Sequence, residues 1–186
     1  MGPATLSAAH FVPLNDGQRL LTTIADMSCI GQRDQMTPFN YFLPEAASET
    51  DLFDWSPILP SPVRILQTNL FGDAFVLVDD GTVHMLERAS HSAQLIASSE
   101  EEFWKEVEDD LQGWQLRRLV DECRLAGKIL KDGQCYAFTT LPIFGGDYVV
   151  ENIWVVSWEE WFLLTADIFT QIKDLPDGTT VRLQVV

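Results

Sequence analysis

Histidine, cysteine and carboxylate side chains are the groups of this chain able to do covalent, metal or acid–base work, and their spacing decides which. A nucleophile needs a neighbouring base, and the base needs an orienting group. The histidines, His10, His84 and His91, are scattered, and no GxSxG, HExxH, P-loop or GxGxxG pattern supplies such a set. His84 falls within a strand and His91 in the following turn, and a metal ion would need a third ligand at a suitable spacing, which is not visible. Cys29, Cys123 and Cys135 are odd in number and widely spaced, with no CxxC. That pattern fits small apolar thiols in a reducing cytoplasm rather than disulfides or zinc. Acid pairs are plentiful, but with 28 Asp and Glu against 12 Lys and Arg a glycosidase-like pair cannot be told from chance. Gly145-Gly146-Asp147 is too short to cradle a phosphate, and its aspartate would repel one. The expectation is no catalytic residue, no metal and no cofactor, leaving the chemistry of a charged surface.

The acids concentrate at Glu100, Glu101, Glu102, Glu106, Glu108, Asp109 and Asp110. Ser99 and Glu102 have capping-box spacing, and Phe103, Trp104, Val107 and Leu111 repeat with helical period, so this is an amphipathic helix with an acidic outer face. Its first three glutamates complement the helix dipole. Asp109 and Asp110, at the far end, do not, and either a solvated face or a basic partner accounts for them. Gly113 separates a second helix over 114–126, with Leu116, Leu119, Val120 and Cys123 on one face and Gly127 as its stop. Candidate partner contacts are Glu101, Glu102, Glu106, Asp109 and Asp110 on the acidic helix, with Asp79 and Asp80 at a hairpin tip.

Upstream, 63–96 reads as a β-meander, with strands 74–78 and 82–86 joined by Asp79-Asp80-Gly81, a strong hairpin signal. Downstream, 135–138 is a short strand and Pro142 keeps 141–144 out of a central strand. Gly145-Gly146-Asp147 is a turn, and 152–157 is a β-branched and aromatic run apolar enough for burial on both faces. Ser157 and Glu160 then open a helix carrying Trp158, Trp161, Phe162, Leu164, Ile168, Phe169 and Ile172, too apolar all round for a surface helix. Pro176 and Asp177-Gly178 end it, and 179–186 is expected as a last strand. Asn15 or Asp16 would cap a helix over 18–27. Between 31 and 62 the chain mixes Pro, Ser and Thr with Phe39, Tyr41, Phe42, Phe53 and Trp55, as irregular structure laid over a core. Alternatively, with Glu45, Glu49, Asp51 and Asp54, it is an aromatic binding loop.

A hydrophobic content of 46% with a formal charge of −16 describes a filled core inside an acidic skin, since disorder requires low hydrophobicity. A chain of 186 residues buries about 70% of its unfolded surface. The charge repels nucleic acid and speeds capture of basic proteins, although solubility alone also accounts for it. No leader pattern opens the chain and no apolar run reaches spanning length, so a cytoplasmic protein with no membrane contact is expected.

Gly145-Gly146-Asp147-Tyr148 followed by Glu151-Asn152 looks like a GGEY–x–x–EN pattern, with Asp147 in place of glutamate, and 171–178 reads QIKDLPDG. Together they resemble the C-terminal domain of type VI secretion immunity proteins that neutralise a DNase effector. Phe71-Gly72-Asp73-Ala74-Phe75 with Asp80-Gly81-Thr82-Val83 resembles the hairpin of the GAD-like domain that usually precedes it. The resemblance covers 71–178 well and the first 60 or so residues poorly. It implies an α+β fold, an antiparallel meander packed with helices in an SMI1/KNR4-like or GAD-like two-layer arrangement. It also implies a GAD-like part over 1–112 and an immunity domain over 113–186, packed as one unit. The implied function is stoichiometric occlusion of a cognate secreted DNase toxin, a basic protein, by a monomer in a 1:1 complex. Asp147, Tyr148 and Glu151 join the contact candidates on this ground, while Gly145, Gly146 and Asn152 could equally fix a turn. A scaffold of the SMI1/KNR4 kind with a non-nuclease partner, or an unrecognised hydrolase, are the other readings.

Overall fold

The computed structural model describes residues 38–44, 48–176 and 178–183, which fall in one compact unit, Thr37–Val186. The expected helix over 18–27, Cys29, Glu45 and the last residues of the expected final strand lie outside the described residues.

Four strands, β1 (Pro62–Thr68), β2 (Ala74–Val78), β3 (Val83–Glu87) and β4 (Ser92–Ala97), form an antiparallel meander in the order β1-β2-β3-β4. The β2–β3 turn closes as its sequence requires. Gly81 takes φ +86°, and the Asp80 carboxylate accepts hydrogen bonds from the Thr82 backbone N–H (2.9 Å) and hydroxyl (2.7 Å). Strand alternation then assigns the two faces. Phe75, Val83, Met85 and Ala97 face α1 (Glu100–Asp109), meeting its Phe103 and Val107. Ala74, Val76, Val78 and Leu86 face the opposite way, onto Trp55 and Leu52 of the 3-10 helix Glu49–Trp55 and onto Ala166 and Phe169 of α3 (Trp158–Ile172). Trp55 and Phe169 stack with ring centroids 4.6 Å apart. The fold is α+β with an antiparallel meander packed with helices, as the sequence led us to expect.

A second cluster gathers α2 (Arg117–Leu125) with the antiparallel pair β5 (Gln134–Phe138) and β6 (Ile153–Ser157). The loop 69–73 joins it to the meander. Phe71 is buried against Tyr136 and Phe138, the Leu70 carbonyl accepts from Tyr136 N–H (2.8 Å), and the Phe71 carbonyl accepts from Trp161 Nε1–H (2.9 Å). Asn69 organises this loop, its Oδ1 accepting from the Phe71 and Asp73 N–H groups and its Nδ2 donating to Asp73 Oδ2 and to the Trp114 carbonyl. Gly72 sits at φ +86°, and a Cβ there would lie 2.7 Å from the Phe162 ring, so only glycine fits. The Phe-Gly-Asp sequence is thus a joint: one residue anchors, one turns and one accepts.

Several element boundaries differ from expectation. The acidic helix ends at Asp109, with Asp110 left-handed at φ 47°, which leaves Leu111 outside the helix and 79% exposed. The second helix begins only at Arg117, because Leu116 is also left-handed (φ 50°). β6 is not buried on both faces: it pairs with β5 alone, and Trp154 is 45% exposed. α3 is not buried all round either, since it covers one side of the core and Leu163 faces solvent. Residues 179–183 form no strand: they pair with no sheet and are largely exposed. In the aromatic segment, Tyr41, Phe42 and Trp55 are buried, so its described part lies over the core, and Phe53 alone among those described aromatics is exposed.

Candidate functional site

The side chain of Ser99 starts α1 by accepting from Glu102 N–H (3.2 Å). The reciprocal half of the box reaches one residue further than its spacing suggests: the Glu102 carboxylate binds Ser98 N–H (2.7 Å) and its hydroxyl (2.5 Å), which lowers the Glu102 pKa. Glu101 and Asp109 are exposed and Glu106 is half-buried. Asp110 is different. Its carboxylate accepts from Gln115 N–H (3.2 Å), stands 3.4 Å from Arg117 Nε and is 5% exposed. It holds the α1–α2 turn, which supplies a structural reason for an acid at the end of this helix. Asp80 likewise serves the hairpin turn, while Asp79 beside it is exposed. Val83 pairs with Ala97, so this hairpin tip stands at the same end of the sheet as the first turn of α1.

The 145–152 loop is fixed from within. Asn152 Oδ1 accepts from Thr140 N–H (2.8 Å), and its Nδ2 donates to the Thr140 and Asp147 carbonyls (2.9 Å each). Gly145 takes φ +84° after the 3-10 turn Pro142–Phe144. At Gly146 a Cβ would lie 1.8 Å from the Thr140 carbonyl oxygen, so close backbone approach, rather than φ, demands glycine there. Asn152 and the glycines therefore build the loop, and Asp147, Tyr148 and Glu151 are the side chains it presents outward. Tyr148 packs edge-on against Phe138 (5.0 Å), with its hydroxyl 3.4 Å from that of Ser90.

These elements meet. Asp109, Asp110 and Tyr148 line one groove of about 580 Å3, closed by Leu116, Leu119 and Val149, so two candidate segments distant in sequence share a surface. The hairpin tip and Glu101 belong to the other end of α1, Glu101 standing eight residues or about 12 Å from Asp109 along the axis. Adjoining the groove through Gly113, Leu116 and Tyr148 is a cavity of about 370 Å3 lined by Asp73, Glu87, Trp114 and Phe138. Sequence reasoning missed Asp73 and Glu87 as site residues. Alternation in β3 held the signal: Glu87 continues the Val83–Met85 face past the cover of α1. Another cavity, of about 950 Å3, is lined mainly by apolar groups, among them Leu43, Leu70, Tyr136 and Trp158, and holds none of the candidates.

Cys123 and Cys135 are buried free thiols, and burial pushes the Cys135 pKa up to about 12, so it is not a nucleophile at neutral pH. Among the described residues, no group of three or more His, Cys, Asp or Glu could hold a metal ion, and no helix is long and apolar enough to cross a membrane. The arrangement can bind a partner through carboxylates flanked by aromatic rings.

Residues 97–169, less than half of the chain, match the family model described as T6SS immunity protein Tdi1, C-terminal, and this match supports a type VI secretion immunity protein. The matched segment takes in α1, α2, β5, β6 and all but the last turn of α3. No curated protein matches the chain. Among solved structures, the crystal structure of Atu4351 from Agrobacterium tumefaciens is similar at 18% identity and a TM-score of 0.45. The alignment covers 63% of this chain and 63% of that one.

Proposed function

We propose that this protein is the immunity partner of a secreted DNase toxin, which it binds in the cytoplasm as a 1:1 complex, blocking the active site or the DNA-binding surface. The observation that carries the reading is the match of 97–169 to the immunity model. The groove adds support, since Asp109 on α1 and Tyr148 on the motif loop, both inside that segment, converge on it. Carboxylates would take the place of DNA phosphates against Lys and Arg of a basic toxin, and a net charge of −16 would steer the encounter. On this reading the protein is a binder, not an enzyme.

The test is to co-purify the protein with the toxin domain encoded beside it and to follow DNA cleavage at increasing immunity-to-toxin ratios. Inhibition that saturates at one to one is expected, with association slowing markedly between low and high salt. Absence of both complex and inhibition would overturn the reading.

A further inference from the structure

We propose that the cavity between β3, the α1–α2 turn and the 145–152 loop is a socket for one arginine side chain of the protein partner, with Asp73 and Glu87 as counter-ions and Trp114, Phe138 and Tyr148 as walls. The inference rests on the reading that the partner is a basic toxin.

Three observations support it. First, every charged residue lining the cavity is a carboxylate. Both carboxylates have only neutral donors among the described residues. Asp73 accepts from Arg88 N–H and Asn69 Nδ2, and Glu87 accepts from Gln94 Nε2. The nearby guanidinium of Arg88 points elsewhere, donating from Nε to the Gly72 carbonyl and lying 3.9 Å over the Phe162 ring. Arg117 is likewise engaged, by Asp110 and the Val107 carbonyl. Two acids lining one cavity, neither of them in an ion pair among the described residues, leave charge that a cation would neutralise. Burial raises the Asp73 pKa to about 6, with Glu87 adding to the rise while the Asn69 hydrogen bond, the Arg88 backbone N–H and the Arg88 charge oppose it without cancelling it.

Second, the walls are aromatic. A cation over the face of tryptophan or tyrosine is attracted by the ring quadrupole, and arginine also stacks its plane on the ring while forking to carboxylate oxygens. Lysine, a compact and strongly hydrated charge, uses such walls less well. Third, the volume fits: about 370 Å3 is at the small end of pockets that enclose a ligand group, and it opens beside the larger groove that would seat the surrounding backbone. The groove mixes Arg117 and Arg118 with Asp109, Asp110 and Glu122, whereas the charged residues of the smaller cavity are carboxylates alone.

The socket is tested first without toxin, by titrating the protein with N-acetylarginine amide and, in parallel, N-acetylcitrulline amide, which has the same shape and no charge. The Trp114 indole N–H resonance should shift saturably with arginine and not with citrulline, and Glu87→Gln, which keeps the side-chain shape, should abolish the shift. Equal shifts from both compounds, or no saturable shift, would overturn the socket. In the toxin complex, Glu87→Gln and Tyr148→Ala should each weaken binding at least tenfold. A wild-type complex that both variants leave unchanged would overturn the inference while the immunity reading stood. If no complex forms at all, the immunity reading fails, and the arginine titration still decides whether the socket exists.

Discussion

Asn152 shows how one side chain can hold a surface that it does not itself present. It makes three hydrogen bonds, accepting from Thr140 N–H and donating to the Thr140 and Asp147 carbonyls, so the loop offering Tyr148 is tied to the end of β5 by one amide. Asn152→Ala should cost about 2–3 kcal/mol in urea unfolding, from roughly 1 kcal/mol for each bond lost. Gly146→Ala should cost at least as much, about 3 kcal/mol, because its methyl would overlap the Thr140 carbonyl. Losses below about 0.5 kcal/mol for both, the range of ordinary surface substitutions, would show that the loop is held by something else. The motif was visible in the sequence, but whether its asparagine bound a partner or the backbone was not, because both uses need the same polar amide. The acceptor carbonyls belong to Thr140 and Asp147, and only the fold brings Thr140 to Asn152.

At the scale of elements, local signals carried most of the meander. The Asp-Gly turn, the strand over 74–78 and the serine caps of α1 and α3 act within a few residues, and each appears where it was expected. Where two residues took left-handed conformations that sequence does not announce, Asp110 and Leu116, the helix ends moved. The exposure of Trp154 escaped for another reason: whether one face of a strand or both are covered depends on contacts far away in the chain. The acidic helix illustrates the consequence. Its last two aspartates looked alike in sequence, yet Asp109 faces solvent while Asp110 caps the turn through Gln115 N–H and Arg117. Asp109→Lys should therefore leave the unfolding midpoint nearly unchanged while weakening toxin binding. Asp110→Lys should destabilise the free protein by about 1–3 kcal/mol, since it strands a backbone donor and sets two cations together. Measured side by side, equal stability of the two variants would deny Asp110 its structural role. Unchanged toxin affinity of Asp109→Lys would remove that position from the interface.

The stability of the whole molecule adds up contributions of opposite sign from Asp73, which is buried, and His91, which is half-buried. His91 packs edge-on against the stacked Trp55–Phe169 pair, with both ring nitrogens buried and without hydrogen-bond partners among the described residues, and desolvation pushes its pKa down to about 4. The unfolded chain binds a proton at about pH 6.5, so this histidine removes stability as pH falls from 6.5 to 4. Asp73 is raised to about 6, so its contribution is fully present below about pH 3.8 and is lost as pH rises through 6. The two slopes oppose one another across the same window. The wild-type curve, which also contains the other carboxylates of a −16 chain, cannot separate them, but differences between variants can. His91→Asn tolerates the left-handed backbone at φ 53° and should be less stable than wild type at pH 7, through lost ring packing. That gap should narrow steadily from pH 6.5 to 4, as wild type alone suffers the unfavourable proton uptake. For Asp73→Asn, the gap from wild type should narrow in the opposite direction, as pH rises from 4 to 6. Urea unfolding midpoints of the three proteins at half-unit intervals of pH test both statements. A His91→Asn gap that is flat across the window would mean that the imidazole is protonated in the native state as readily as in the unfolded chain, and so that water reaches the Trp55–Phe169 layer.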